Sequence, residues 1–133
     1  MRTFAFFATI LGIATGVIAA DSSYQFRIFN ALSYPVKIGH SAKFKTLLKT
    51  IEPGNEIMFT KQNEYLYVER GIKGADPWEF NLGMQSFASS GSVVLVMTFA
   101  GLYVIPEHKF HPSIAENYGN ITEYAIDRIV PLD

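Results

Sequence analysis

Apolar and polar residues alternate with a period of two through most of the chain, and this period puts successive side chains on opposite faces of a sheet. Tyr24–Asn30 sets Tyr24, Phe26 and Ile28 against Gln25 and Arg27, and Tyr34–His40 sets Val36 and Ile38 on one face. The short Ala31–Ser33 spacer makes these two a predicted hairpin, and Pro35, which cannot donate to a ladder, belongs at the second strand's beginning or on an edge, where it and Lys37 would oppose pairing with another copy. Phe44–Ile51 is a third strand. Pro53-Gly54 then predicts a type II turn, since proline fixes φ at the first central position and glycine tolerates positive φ at the second, and Glu56–Thr60 runs back from it.

Glu64–Arg70 is the predicted central strand, with Leu66 and Val68 on one face and Tyr65 and Tyr67 on the other. Gly71–Trp78 reads as a loop, Glu79–Leu82 as a short strand and Gln85–Ser92 as a small-residue loop. Val93–Phe99 is nearly continuous in apolar residues, which predicts a strand covered on both faces. Ala100-Gly101 either turns the chain into a separate strand, Leu102–Ile105, or bulges one long strand; the pattern fits both. Pro112–Tyr118 predicts one or two helical turns stopped at Gly119, and Thr122–Val130 alternates as a last strand. Seven or eight short strands with turns between them and at most one short helix near 112–118 predict an all-β chain, an antiparallel β-sandwich.

The first twenty residues break this pattern. Met1-Arg2, the apolar run Phe4–Ile18 and the small pair Ala19-Ala20 carry the three parts of an export signal, a positive start, an apolar stretch of about 7–15 residues and small residues at the cut. A retained membrane helix would want roughly 20 apolar residues, whereas this run contains Gly12 and Gly16 and is followed by Asp21-Ser22-Ser23 rather than by basic residues. Residues 1–20 are therefore read as a cleaved signal peptide and 21–133 as one secreted, extracellular β-sandwich domain. The remaining chain has no cysteine, so apolar and aromatic packing must supply what disulfides give most small secreted domains.

Charge narrows the partners. Removing residues 1–20 takes only Arg2 from 11 basic residues, leaving 10 against 12 acids and a net charge of −2, which gives no electrostatic basis for nucleic-acid binding. The apolar Val93–Ile105 stretch is too short for a helical span and alternates too poorly for a lipid-facing barrel strand, so a membrane-active protein ranks behind a buried core strand.

Segments from the first half of the domain resemble a known family. Phe26-Arg-Ile-Phe-Asn30, Tyr34-Pro-Val36, Ile51-Glu-Pro-Gly54 and Tyr65-Leu-Tyr-Val-Glu-Arg-Gly71 together resemble the β-domain of the von Hippel–Lindau tumour suppressor family, over less than half of the chain. The resemblance implies a sandwich scaffold. That family binds a hydroxyproline peptide through a serine- and histidine-containing segment just before the strand equivalent to Glu64–Arg70; Thr60-Lys-Gln-Asn63 stands there instead, so the binding function does not carry over.

Catalytic signatures are sparse. There is no glycine-rich phosphate loop, serine nucleophile elbow, His-Glu-x-x-His or cysteine, and no cofactor is implied. The densest polar group is Glu107-His108-Lys109-Phe110-His111, with His40 the only other histidine. Glu107, His108, His111 and His40 are the candidate metal ligands of a metal-dependent hydrolase if the fold converges them on one ion, and solvated loop residues if it does not. Trp78, Tyr65 and Tyr67 are the candidate partner-binding residues: Trp78 either stacks on a sugar ring or a partner, or caps the core, and the tyrosines make an aromatic surface where their face is uncovered. Asn120-Ile121-Thr122 is a glycosylation sequon, which makes Asn120 a candidate glycan acceptor in an exported chain. The reading that follows is a secreted, non-catalytic binding protein presenting aromatic loops or a sheet face to a protein or carbohydrate partner.

Overall fold

A computed structural model describes residues 24–40, 48–61, 65–83 and 92–132. Residues 1–23, and with them the proposed signal, lie outside the described residues, as do half of the predicted Phe44–Ile51 strand and most of the Gln85–Ser92 loop.

Among the described residues nine strands form two packed sheets, the expected all-β sandwich. They are β1 (Tyr24–Asn30), β2 (Val36–Gly39), β3 (Lys49–Ile51), β4 (Glu56–Lys61), β5 (Tyr65–Arg70), β6 (Trp78–Asn81), β7 (Val93–Thr98), β8 (Gly101–Pro106) and β9 (Asp127–Ile129). The first sheet has the order β9-β8-β7-β1-β4 and the second β3-β2-β5-β6. Pairing is antiparallel except between β1 and β7, which run parallel with Arg27 opposite Val94 and Asn30 opposite Met97.

In β1 and β2 alternation assigned the buried faces correctly but not the partners. β1 and β2 are not a hairpin: they belong to different sheets, and the 31–35 segment carries the chain across the sandwich. Asn30, fully buried, holds that crossing. Its Nδ2 donates to the carbonyls of Tyr34 (3.0 Å) and Ile51 (2.9 Å), and its Oδ1 accepts from the Leu32 amide (2.8 Å). The Pro53-Gly54 turn is type II as expected, with Gly54 at φ 80° and the Asn55 amide donating to Glu52 O, but it too joins strands of different sheets.

The inter-sheet core gathers the alternate residues of both sheets, among them Phe26, Ile28, Val36, Ile38, Phe59, Leu66, Val68, Phe80, Leu95 and Val104. Every residue of β7 is buried, as its unbroken apolar run requires. Leu95 and Met97 face the core, while Val94 and Val96 face a second cluster on the far side of the five-stranded sheet. That far side is covered by the segment after β8, where Phe110, Ile114 and Ile121 pack on Phe29, Tyr103 and Ile105.

This covering segment is more helical than its alternation implied. Short 3-10 turns span Glu107–Lys109 and Pro112–Glu116, and α1 spans Tyr118–Tyr124. The Asn117 side chain caps α1 by accepting from the Gly119 amide at 2.8 Å, so Gly119 lies within the helix rather than stopping a helix at 112–118. The predicted Thr122–Val130 strand shrinks to Asp127–Ile129, because Ile121 and Ala125, four apart, turn their side chains onto the sheet. Ala100-Gly101 resolves as a turn: Thr98 pairs with Gly101 across a two-residue hairpin loop, and β8 is a separate strand. Beyond β9 the chain crosses to the other sheet, where the Leu132 amide donates to Glu79 O of β6 at 2.7 Å.

Candidate functional site

The five-stranded sheet separates the histidine candidates. His40 directly follows β2 and lies against the Phe59 ring (centroids 4.8 Å apart), on the inter-sheet side. Its Nδ1 is buried and meets no hydrogen-bonding partner among the described residues. Burial, assisted by Lys49, holds its pKa below the usual imidazole range. Glu107 lies beyond the opposite face, where its Oε2 accepts from Arg27 Nη1 at 3.0 Å. Arg27 also makes a bidentate pair with Glu56 (2.7 and 2.8 Å) and lies 5.6 Å from the centre of the Phe110 ring, which packs edge-on against Phe29. The Glu56 carboxyl is held below its usual range by this hydrogen-bonded guanidinium. Glu107 is thus a clasp for the covering segment.

His108 and His111 are both exposed, and His111 is occupied locally: its Nδ1 lies 2.9 Å from Ser113 Oγ and accepts from the Ser113 amide at 3.2 Å, capping the second 3-10 turn. Among the described residues no three histidines or carboxylates gather where one metal ion would fit.

The aromatic candidates fare differently from one another. Trp78 lies on edge strand β6, directly opposite Val68, and packs edge-on against Phe80. The Arg70 guanidinium covers its ring at 4.2 Å while bonding the Asp76 carbonyl (2.6 and 3.1 Å). Trp78 therefore closes one margin of the core. Tyr67 is buried, its hydroxyl 3.3 Å from Glu69 Oε2, whereas Tyr65 is exposed, so the two do not form one open aromatic surface. Asn120 is exposed on α1, with buried Ile121 beside it.

The feature that alternation missed lies at the β7–β8 turn. Phe99, read as the end of a buried strand, occupies the tip of the hairpin and is 71% exposed. It is held there rather than left loose. Thr98 Oγ1 accepts from the Ala100 amide and donates to Gly101 O, which stiffens the turn, and the Phe99 ring leans on Tyr118 with centroids 4.8 Å apart. Tyr118 in turn meets Tyr103 edge-on, and their hydroxyls share a hydrogen bond at 2.5 Å; that bond raises the Tyr118 pKa.

Beside this stack lies a cavity of about 360 Å³ with Ala31, Leu32, Ser33 and Tyr34 along one wall and Ala115, Glu116 and Tyr118 along the other. It runs into a second cavity, of about 290 Å³, past Ala115 and Pro112, and that one shares Phe29, Gly54 and Pro112 with a third, of about 460 Å³, reaching Glu52 and Glu56. The three make one groove between the covering segment and the end of the sandwich. Its walls are the parts of the fold fixed by Asn30, by the Thr98 turn and by the Asn117 cap.

The one sequence signal for this site is the bare dipeptide Phe99-Ala100 before a glycine, which reads equally as strand or turn. No protein-family model, no curated protein and no solved structure matches the chain.

Proposed function

We propose that the chain is an exported, non-catalytic binding protein whose contact surface is the groove beside α1, with Phe99 at its head. The observation that carries this reading is the 71% exposure of Phe99 on a stiffened hairpin tip. Exposing a phenylalanine forgoes about 1.5–3 kcal/mol of burial, and here the ring is fixed in the exposed position. A rigid aromatic beside a preformed cavity is what an interface anchor requires, because little side-chain entropy remains to be lost on association. Trp78, covered by Arg70, and Tyr67, buried, are scaffold in this reading; Tyr65 is outside it.

The export half of the reading rests on the composition of residues 1–20 and is tested by the N-terminus of protein recovered from the medium, which should be Asp21. Recovery of intact Met1 inside the cell would refute it. The binding half is tested with Phe99→Ser, which should leave stability within about 0.5 kcal/mol, as expected for an exposed position. The variant should lose retention on panels of extracellular proteins and glycans that hold the unaltered protein. Equal retention of both would remove Phe99 from the contact surface.

A further inference from the structure

We infer that the cavity under Phe99 receives the cationic side chain of a protein partner, an arginine or lysine, between aromatic rings and the Glu116 carboxylate. This rests on the binding-protein reading above and specifies what the groove recognises. Three aromatic residues, Tyr34, Phe99 and Tyr118, line the cavity, and among the described residues its only charged lining residue is Glu116. Glu116 is exposed and has no ion-pair partner among the described residues. Farther along the groove, Glu52 adds a carboxylate beside the Arg27-paired Glu56, and among the described residues no basic residue lines any of the three cavities. Arg128 acts on the Tyr118 hydroxyl, but it is absent from the lining.

Ring faces attract a cation through their quadrupole, and an unpaired carboxylate at the same cavity adds the countercharge. An arginine or lysine also has an apolar stem, which suits walls of Ala31, Leu32 and Ala115. A neutral sugar fits less well. It could bond the Ser33 and Tyr34 hydroxyls on the cavity wall, but it would cover Glu116 without compensating its charge. The groove continues past Pro112 and Gly54 and so accommodates the chain flanking the cationic residue.

The test is a titration of the purified protein followed by NMR, reading the Ala115 and Ala31 methyls and the Phe99 ring. The probes are acetyl-Gly-Arg-Gly-amide, the same peptide with glutamine for arginine, tetramethylammonium and tri-N-acetylchitotriose. Saturable shifts at these groups with the arginine peptide and with tetramethylammonium, but not with the glutamine peptide, are expected. Glu116→Gln should weaken the arginine peptide about fivefold, the scale of one rim ion pair. Phe99→Leu, which keeps an apolar side chain and removes the ring, should weaken it by a similar factor. Cation shifts located elsewhere, or no saturation with either cation up to about 20 mM, a level at which even a weak single-residue site would show, overturn the inference. Shifts with chitotriose alone also overturn it while leaving the groove a binding site for carbohydrate. If every probe fails but Phe99→Ser still abolishes retention of a partner, the binding-protein reading stands and the cationic specificity falls.

Discussion

Replacing Asn30 with alanine should be among the most damaging single changes in the described chain, although it removes no apolar contact. The side chain satisfies three backbone groups: the Leu32 amide, the Tyr34 carbonyl and the Ile51 carbonyl. Tyr34 O is partly open to water, which can replace the lost donor; the bonds to Leu32 N and Ile51 O are buried. Leaving a buried polar group unpaired costs about 1–3 kcal/mol, so two such groups set an expected loss of about 3–4 kcal/mol. Against a total of about 5–15 kcal/mol for a domain, that is a large fraction. Urea unfolding followed by Trp78 fluorescence is the assay, with the slope unchanged and the midpoint lowered by about 2 M, taking a slope of about 1.5–2 kcal/mol per M.

Asn30→Asp sharpens the argument. The carboxylate keeps the acceptor for Leu32 N but turns a second oxygen toward two carbonyls, so it should be less stable than Asn30→Ala at neutral pH. Burial against those oxygens raises the folded-state pKa of the introduced group. The penalty is then full above that raised value and disappears as pH falls toward the unfolded value of about 3.9, where the protonated acid can again donate. A loss below about 1 kcal/mol for Asn30→Ala, or an Asn30→Asp variant more stable than Asn30→Ala at pH 7, would refute the role given to this residue.

Glu56 has its pKa lowered by Arg27, so its contribution is full above the unfolded value near 4.5 and is lost as pH falls through the folded value; Arg27→Met should flatten that acid limb. Both side chains are partly exposed, so the effect should stay near 1 kcal/mol and shrink in salt, read as urea midpoints against pH. His40, its pKa lowered chiefly by burial, should impose a separate loss as pH falls below about 6.5, removed in His40→Phe. Gly101→Ala should destabilise by about 3 kcal/mol or more, since φ is 117° and a Cβ there would stand 2.5 Å from Ile129 O; Gly54→Ala, at φ 80° with open space around it, should cost only about 1 kcal/mol. Thermal unfolding of the two variants orders them. In a eukaryotic secretory host, Asn120→Gln should remove a glycosidase-sensitive increment in mass; no increment in the unaltered protein would rule out modification there.

The sandwich was legible because burial on one face of a sheet writes itself as alternation, and burial on both faces writes itself as the run Val93–Thr98. What alternation cannot encode is which strand lies next to which. Nothing in Tyr24–Asn30 announces that its neighbours are Glu56–Lys61 and Val93–Thr98, and the nearest strand in sequence was the wrong partner. Thr122–Val130 misled for a related reason: Thr122, Tyr124 and Ile126 alternate with Glu123, Ala125 and Asp127, while the pair that packs, Ile121 and Ala125, is spaced for a helix. Asn117, a capping residue, was the available signal. At the site, Phe99 was missed because an apolar residue ending an apolar run reads as buried until a two-residue turn turns it outward. The histidines came into view through their closeness in sequence, which a sheet lying between His40 and Glu107 makes irrelevant.

The parallel pairing of β1 with β7 governs when this protein can fold. Arg27 and Val94 are partners 67 positions apart, and the strands that flank them are antiparallel neighbours that cannot close the sheet without them. A chain emerging from its N-terminus first must hold β1 with one side unpaired until almost three-quarters of its length has been made, and the covering segment over Val94 and Val96 arrives later still. Long-range parallel pairing of this kind is slow to form and leaves strand edges open meanwhile. A chain with this timetable passes unfolded through synthesis, which is the condition in which threading across a membrane is easiest, and it should become resistant to proteases only after residues beyond Ile129 have been released.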